Sequence, residues 1–400
     1  MKVLVISHMY PSEFDEMNGI FVHYQVKALV EKGIKVQVVS PVPWAPFPFN
    51  YLSFKWKSYS NIPEQTVYGG INLWYPRYLT FPRAWFFASS GQRMYRGIKD
   101  VVKKIYQEFP FDLIHAHVVL PDGFAATKIK CIYHKPMIIT IHGQDLYATI
   151  NKNNNCKVAM NSVFKKADKI ITVSSKLKKM AANGIGFNDK IMVIGNGVPF
   201  KKIIAEENNL LSGRIANSKI ILSASSLFHR KGIYFNLRAF SKLVDKYPNL
   251  KYQIIGDGPE KNYLKKIAFD LGINNQVDFL GKLSHENVLS YMAKADIFSV
   301  PSWNEGFGVV YIEAMALGKP VIGCRGEGIE DFVEHKKTGM LVKPKNTDSL
   351  VEALDFLLSY PDEARVIGEK ARSLVLENYT WEKNAGKMLE VYQEVLNNAR

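Results

Sequence analysis

Cysteine is scarce in this 400-residue chain. Cys131, Cys156 and Cys324 are odd in number and far apart, and they make neither a disulfide framework nor a zinc-ligand spacing. A reducing compartment is the natural setting. Long hydrophobic runs are missing too. Lys2-Val3-Leu4-Val5-Ile6-Ser7 is too brief for a secretory signal. The charge-free stretch from Val36 to Phe54 carries Pro41, Pro43, Pro46 and Pro48, a series no ordinary spanning helix tolerates. No Asp-x-Asp pair offers itself to a metal ion. Gly19 stands alone after the first apolar run, where a dinucleotide site would show G-x-G-x-x-G. These absences argue against a stapled secreted fold, a membrane-spanning protein and a nicotinamide-dependent oxidoreductase.

Acid is short on one side only. The chain holds 52 basic and 37 acidic side chains, a net of +15, but residues 1–198 carry 25 basic and 12 acidic ones while residues 199–400 carry 27 and 25. The excess therefore sits in the first half, which suits an anionic partner: nucleic acid, an anionic membrane or an acidic acceptor. A lysine-rich solvated surface is the plain alternative. Hydrophobic residues at 47% and charged residues at 22% are ordinary for a globular protein of two or three domain lengths.

Short apolar runs alternate with helical spacing. Val3–Ser7, Val36–Ser40, Leu113–His115, Met137–Ile141, Lys169–Val173 and Ile191–Ile194 read as strands, with a helix over Gly19–Lys32 ended by Gly33. After a polar, irregular stretch around Pro199–Asn217 the order restarts, with strands at Ile220–Ala224, Tyr252–Ile255, Val277–Leu280, Ile297–Val300 and Pro320–Ile322. The expected class is α/β, with two doubly wound Rossmann-like domains. Domain boundaries are expected at 1–198 and 199–379, with a C-terminal helix in 380–400 packing back on the first domain. His115 and His117, at alternate strand positions, read as structural residues that are not both in the core. From Trp44 to Tyr95, 16 of 52 residues are aromatic, with five basic side chains and only Glu64 acidic. Such a segment reads either as an interfacial element at lipid headgroups or as a satellite core beneath a long loop.

The most specific segment is Glu305-Gly306-Phe307-Gly308-Val309-Val310-Tyr311-Ile312-Glu313. A strand, a glycine-containing loop and an apolar helix present a helix N-terminus to a phosphate. Eight residues apart, the two carboxylates are expected to stand roughly 12 Å from each other at a rise of ~1.5 Å per residue, about the length of a nucleotide sugar.

This segment resembles the E-x7-E motif of the retaining glycosyltransferases of family 4, which have the GT-B fold of two domains facing across a cleft. Ala295–Ser302 before it and Ala314–Ile322 after it are similar to the family's flanks, as are Gly326–Asp331, Thr338–Val342, Ile254–Glu260 and Phe279–Gly281. More loosely, Tyr10-Pro11 with Asn18-Gly19 resembles the glycine loop after the first strand, although Asn18 stands where that loop normally has its first glycine. Asp112–His117, Thr140–Asp145 and Ile194–Val198 resemble further family segments.

The resemblance implies roles residue by residue. Glu305, with backbone at Gly306, Phe307, Gly308 and Val309, would contact the transferred sugar, and Glu313 the ribose hydroxyls. Lys231 would hold the donor phosphates, with Arg230 as a second cation, since Ser226 stands where many members have arginine. His142 would position donor or acceptor and stabilise local charge. Gly19, Asn196, Gly256 and Leu283 would complete the donor site, Leu283 near the base. No cofactor or metal is implied. UDP is the expected nucleotide and a glycan or lipid-linked molecule the acceptor, as in bacterial exopolysaccharide or teichuronic-acid type enzymes. The expected location is cytoplasmic, at the inner membrane face, and nucleic acid is not an expected partner. A nucleotide-sugar epimerase on the same fold, a phosphorylase and a basic nucleic-acid-binding protein are the competing readings.

Overall fold

The computed structural model describes residues 1–44, 47–48, 54–185, 188–200, 203 and 218–399. Most of the polar stretch before Asn217 lies outside them, as do Phe49 and Tyr51 of the aromatic segment. The chain forms two compact units: Met1–Asn196 with Trp381–Arg400, and Gly197–Thr380.

The first unit is built on β1 (Lys2–Ile6), α1 (Ile20–Glu31), β2 (Lys35–Val39), β3 (Val42–Trp44), α2 (Phe54–Asn61), β4 (Gln65–Tyr68), β5 (Ile71–Trp74) and β6 (Arg77–Leu79). It continues with α3 (Ser90–Glu108), β7 (Leu113–His117), α4 (Phe124–Tyr133), β8 (Met137–Ile141), α5 (Asn154–Lys166), β9 (Lys169–Thr172), α6 (Ser175–Ile185) and β10 (Ile191–Val193). Among the described residues its main sheet has the order β10-β9-β8-β7-β1-β2-β5-β4, and every pairing is parallel except the β4–β5 hairpin. Unbroken apolar runs make the central strands because helices cover both faces. Every residue of β8 is buried.

All five residues of β7 are buried as well, so His115 and His117 both lie in the core, against the sequence expectation. Positions two apart share a face of a strand, and this face is covered. His115 is satisfied there by the Tyr392 hydroxyl at 2.7 Å and the Thr140 hydroxyl at 2.8 Å. Tyr392 belongs to the last helix, Trp381–Asn398, whose Trp381, Ala385, Met388 and Val391 share a core with Val22, Val26 and Leu29 of α1. A buried tie fixes that helix. Gln25 donates to Asn384 Oδ1 at 2.8 Å, and Asn384 donates to the Gly195 carbonyl at 2.7 Å.

The aromatic segment divides. Tyr75 and Tyr78 are buried, and the Tyr75 hydroxyl donates to the Pro11 carbonyl at 2.7 Å. Phe47, Trp85 and Phe86 face outward, at 80%, 60% and 71% exposure. Arg83, Ala84 and Phe86 hold left-handed backbone at φ 51°, 55° and 54°, a conformation side-chain-bearing residues rarely adopt.

The second unit carries β11 (Lys219–Ala224), α7 (Ile233–Ser241), β12 (Leu250–Ile255), α8 (Lys261–Asp270), β13 (Val277–Gly281), α9 (His285–Lys294) and β14 (Ile297–Ser299). After these come α10 (Val309–Ala316), β15 (Val321–Cys324), β16 (Met340–Val342), α11 (Thr347–Ser359) and α12 (Pro361–Asn378). Its described sheet runs β13-β12-β11-β14-β15-β16, all parallel. Asn236 of α7 donates to the Ser299 carbonyl at 2.9 Å and accepts from the Ser299 hydroxyl at 2.8 Å, which ties α7 to β14 inside the core.

Candidate active site

In the second unit the loops after β11 and β14 meet. A short 3-10 turn, His229–Lys231, ends at Gly232, whose φ of 73° starts α7. Only glycine fits here, because a Cβ would stand 2.3 Å from the Pro301 carbonyl oxygen. That close approach carries Lys231 to Glu305, with Nζ 2.5 Å from Oε2 and both side chains largely buried. The Arg230 carbonyl accepts from Trp303 N at 2.9 Å, a second link between the loops.

Glu305 is held from three sides. Its backbone N–H donates to the Glu327 carboxylate at 2.9 Å, its carbonyl accepts from Gly328 N at 3.3 Å, and Ser302 Oγ lies 3.4 Å from Oε2. Burial alone would raise its carboxyl. The charge and hydrogen bond of Lys231, with Arg230 and Ser302, outweigh that and hold it below the usual carboxylate range. The group is thus ionised and its counter-charge is in place.

Helix α10 begins only at Val309, so the helical spacing expected from Glu305 to Glu313 does not apply. Glu305 to Gly308 is loop, and Gly308 at φ 86° turns it into the helix. No side chain caps α10 among the described residues, which leaves first-turn N–H groups and the positive end of the dipole for a ligand. Helices α7 and α1, opening on Gly232 and on Gly19 at φ 64°, also lack a side-chain cap. Phe307 turns its ring into the core against Phe332 and Tyr379, so its backbone is what it offers. Glu313 is buried and pairs with His285 Nε2 at 2.8 Å, where a merely solvated charge would have had no partner. Gly256 follows β12, and Leu283, half-buried, lies between β13 and α9.

Gly19, Asn196 and His142 belong to the first unit. His142 follows β8. Its Nε2 is 3.1 Å from Nδ1 of His117, and its ring packs at 4.7 Å on Phe21. Burial pushes His142 and His115 down to about 3, and it lowers His117 as well, with help from the other two rings. A neutral His142 serves as a hydrogen-bonding group. Burial disfavours its imidazolium, so the charge stabilisation expected of it falls to a neutral ring N–H. Asp145, also buried, is pushed up to about 6 by burial against hydrogen bonds from Val119 N and His142 N.

Sequence reasoning missed Glu327, His285 and Ser302. Ser302 and Glu327 sit in segments already singled out, but nothing in their spacing says that they turn toward Glu305. The His285–Glu313 pair joins residues 28 apart, and no local pattern announces it.

The sequence model described as Glycosyltransferase Family 4 matches residues 19–202, and that described as Glycosyl transferases group 1 matches residues 206–374. An uncharacterized glycosyltransferase of Methanocaldococcus jannaschii is 30% identical, over 76% of this chain and 83% of its own length. The chain belongs to glycosyltransferase family 4. This glycosyltransferase is also 28% identical to the putative teichuronic acid biosynthesis glycosyltransferase TuaC of Bacillus subtilis, over 88% of both chains. Its fold is that of Anabaena HepE in complex with UDP and glucose, with a TM-score of 0.72 over 98% of this chain and 100% of that one at 21% identity. The architecture is GT-B, two Rossmann-like domains.

Proposed function

We propose that this glycosyltransferase moves a sugar, with retention, from a uridine diphosphate sugar to a glycan or lipid-linked acceptor. The observation that carries the reading is the Lys231–Glu305 pair beside Arg230 and the uncapped start of α10. When the bond from the sugar's anomeric carbon to the diphosphate breaks, its electron pair leaves with the phosphate oxygen. Lys231, Arg230 and the helix terminus stabilise that charge, which needs no reorganisation at the moment of reaction. The acceptor oxygen then bonds the anomeric carbon from the same face and passes its proton to the departing phosphate. Glu305 holds the transferred sugar, and Glu313, fixed by His285, accepts from the ribose hydroxyls. Leu283 lies near the base, and Gly256 completes the donor site within the second unit.

The HepE complex with UDP and glucose supports a uridine nucleotide, and TuaC supports a cell-surface polysaccharide product. UDP is expected to raise the unfolding midpoint through linkage, and proton NMR of the product should show the donor's anomeric configuration. An inverted product, or no shift with UDP, would overturn the assignment.

A specific surface favours work at an anionic membrane. Trp85 and Phe86 project beside Arg83, Arg93 lies 4.9 Å from the Phe81 ring, and Lys152 lies 5.0 Å from the Phe87 ring. No described helix is long and apolar enough to cross a membrane. The full-length protein is expected to sediment with anionic liposomes at low salt, and the double change Trp85→Ser, Phe86→Ser to lower the bound fraction at least several-fold. Undiminished binding of that variant would remove this surface from the interaction.

A further inference from the structure

The carboxyl ends of β7 and β8 hold two rings joined by one hydrogen bond whose direction matters. His117 ends β7 and His142 follows β8, on neighbouring strands. The loops that leave these strands are tied by one buried carboxylate. Asp145 accepts from Val119 N at 2.7 Å and from His142 N at 3.3 Å. The chain leaves β7 through Val118 at φ 77°, a value that a β-branched residue holds only when its surroundings impose it. So held, His117 Nδ1 stands 3.1 Å from His142 Nε2, with the ring planes 13° apart.

A hydrogen bond between two neutral rings has two possible directions, and they leave different nitrogens idle. His117 is 1% exposed, and no carboxylate bonds either ring among the described residues, so each ring carries a single proton. Nε2 of His117 is buried without a hydrogen-bond partner among the described residues. If His142 donated, the one proton of His117 would sit on that nitrogen, a buried N–H with no acceptor. If His117 donates from Nδ1, only a lone pair is left idle. Orphaned buried N–H groups are rarer than under-used acceptors, which selects the second direction. His142 then accepts at Nε2 and keeps its own proton on Nδ1, which bonds no described residue.

We propose that His117 is a positioning residue that fixes His142 as its Nδ1–H tautomer, so that His142 offers a substrate oxygen a hydrogen-bond donor and no acceptor. The tautomer stands on the first unit alone. Only its use in catalysis rests on His142 meeting a substrate of the sugar transfer proposed above.

Long-range proton–nitrogen correlation spectra of the full-length protein, labelled with nitrogen-15 at histidine, read the tautomer directly, because protonated and bare ring nitrogens resonate far apart. The His142 signals are identified by their loss in His142→Gln. In the wild type His142 should carry its proton on Nδ1. In His117→Phe, which keeps a ring but no donor, an Nε2–H population should appear. His117→Asn places an amide N–H near the old Nδ1 and should hold the Nδ1–H form. A wild-type ring protonated at Nε2, or an unchanged tautomer in His117→Phe, would overturn the proposal. UDP release under saturating UDP-sugar tests the use of that proton. His117→Phe should lower kcat roughly tenfold with little change in KM, the scale of a weakened oxyanion-type donor, and His117→Asn should recover most of that loss. A tautomer that shifts in His117→Phe while kcat stays unchanged would refute the role in catalysis. A wild type that turns over no UDP-sugar would refute the uridine donor and leave the tautomer to the spectra.

Discussion

Replacing Lys231 by alanine is expected to lower the rate of sugar transfer by about 100-fold or more, the scale of losing one preorganised electrostatic stabiliser. Two effects act together. On the proposed mechanism the departing diphosphate loses a stabilising cation, and Glu305 loses the counter-charge that keeps it ionised in a largely buried place. Without Lys231 the burial that already pushes the Glu305 carboxyl upward is opposed less strongly, by groups such as Arg230 and Ser302, so the group protonates more readily. Glu305→Ala should cost at least as much, because it removes the sugar contact and leaves Lys231 without its partner. Since the two side chains act as a unit, the double variant should be little worse than the poorer single one. UDP release under saturating donor measures all three. Near-wild-type turnover in either single variant would reject the assigned roles.

Gly256→Ala is expected to destabilise the second unit by about 3 kcal/mol, on the scale of severe backbone strain. Its φ of 137° lies in the region side chains rarely enter, and a Cβ would stand 1.8 Å from the Ser225 carbonyl oxygen. Neither backbone can withdraw. Gly256 N donates to the Gly281 carbonyl at 2.8 Å, and Ser225 N donates to Ile255 at 3.0 Å, so both loops are stitched to the sheet. Gly272 is the control. Its φ is 70°, but nothing lies within 4 Å of a Cβ there, so Gly272→Ala should cost only ~1 kcal/mol. Denaturant unfolding of both variants compares them, and equal stabilities would show that the close approach to Ser225 carries no cost.

The family and its fold could be read before any coordinate was seen, because both rest on local signals. Strands covered on two faces are unbroken apolar runs, and the segment around Glu305 is specific residue by residue. What escaped was set at long range. The hairpin of β4 and β5 turns on Gly69-Gly70, both at positive φ, a legible turn signal hidden inside an aromatic segment read for its composition. Within that segment Tyr75 goes inward and Trp85 outward, although both are aromatic residues near cations. The difference is made by the Pro11 carbonyl that receives the Tyr75 hydroxyl, 64 residues away. His115 and His117 share one face of β7 because positions two apart always do, so both enter the core together. Lys231, Glu327 and His285, which meet Glu305 and Glu313, come from the turn after β11, the loop after β15 and the start of α9, and spacing along the chain does not encode such meetings.

The helix Trp381–Asn398 completes the core of the first unit, yet the whole of Gly197–Thr380 precedes it in the chain. Translation runs in one direction. The ribosome therefore releases the strands around His115 long before it makes the Tyr392 that satisfies them. During that interval α1 lacks the part of its core that Trp381, Ala385, Met388 and Val391 supply, while the later unit, contiguous in the chain, can close as soon as it emerges. The half of the protein that is born first is the half that matures last.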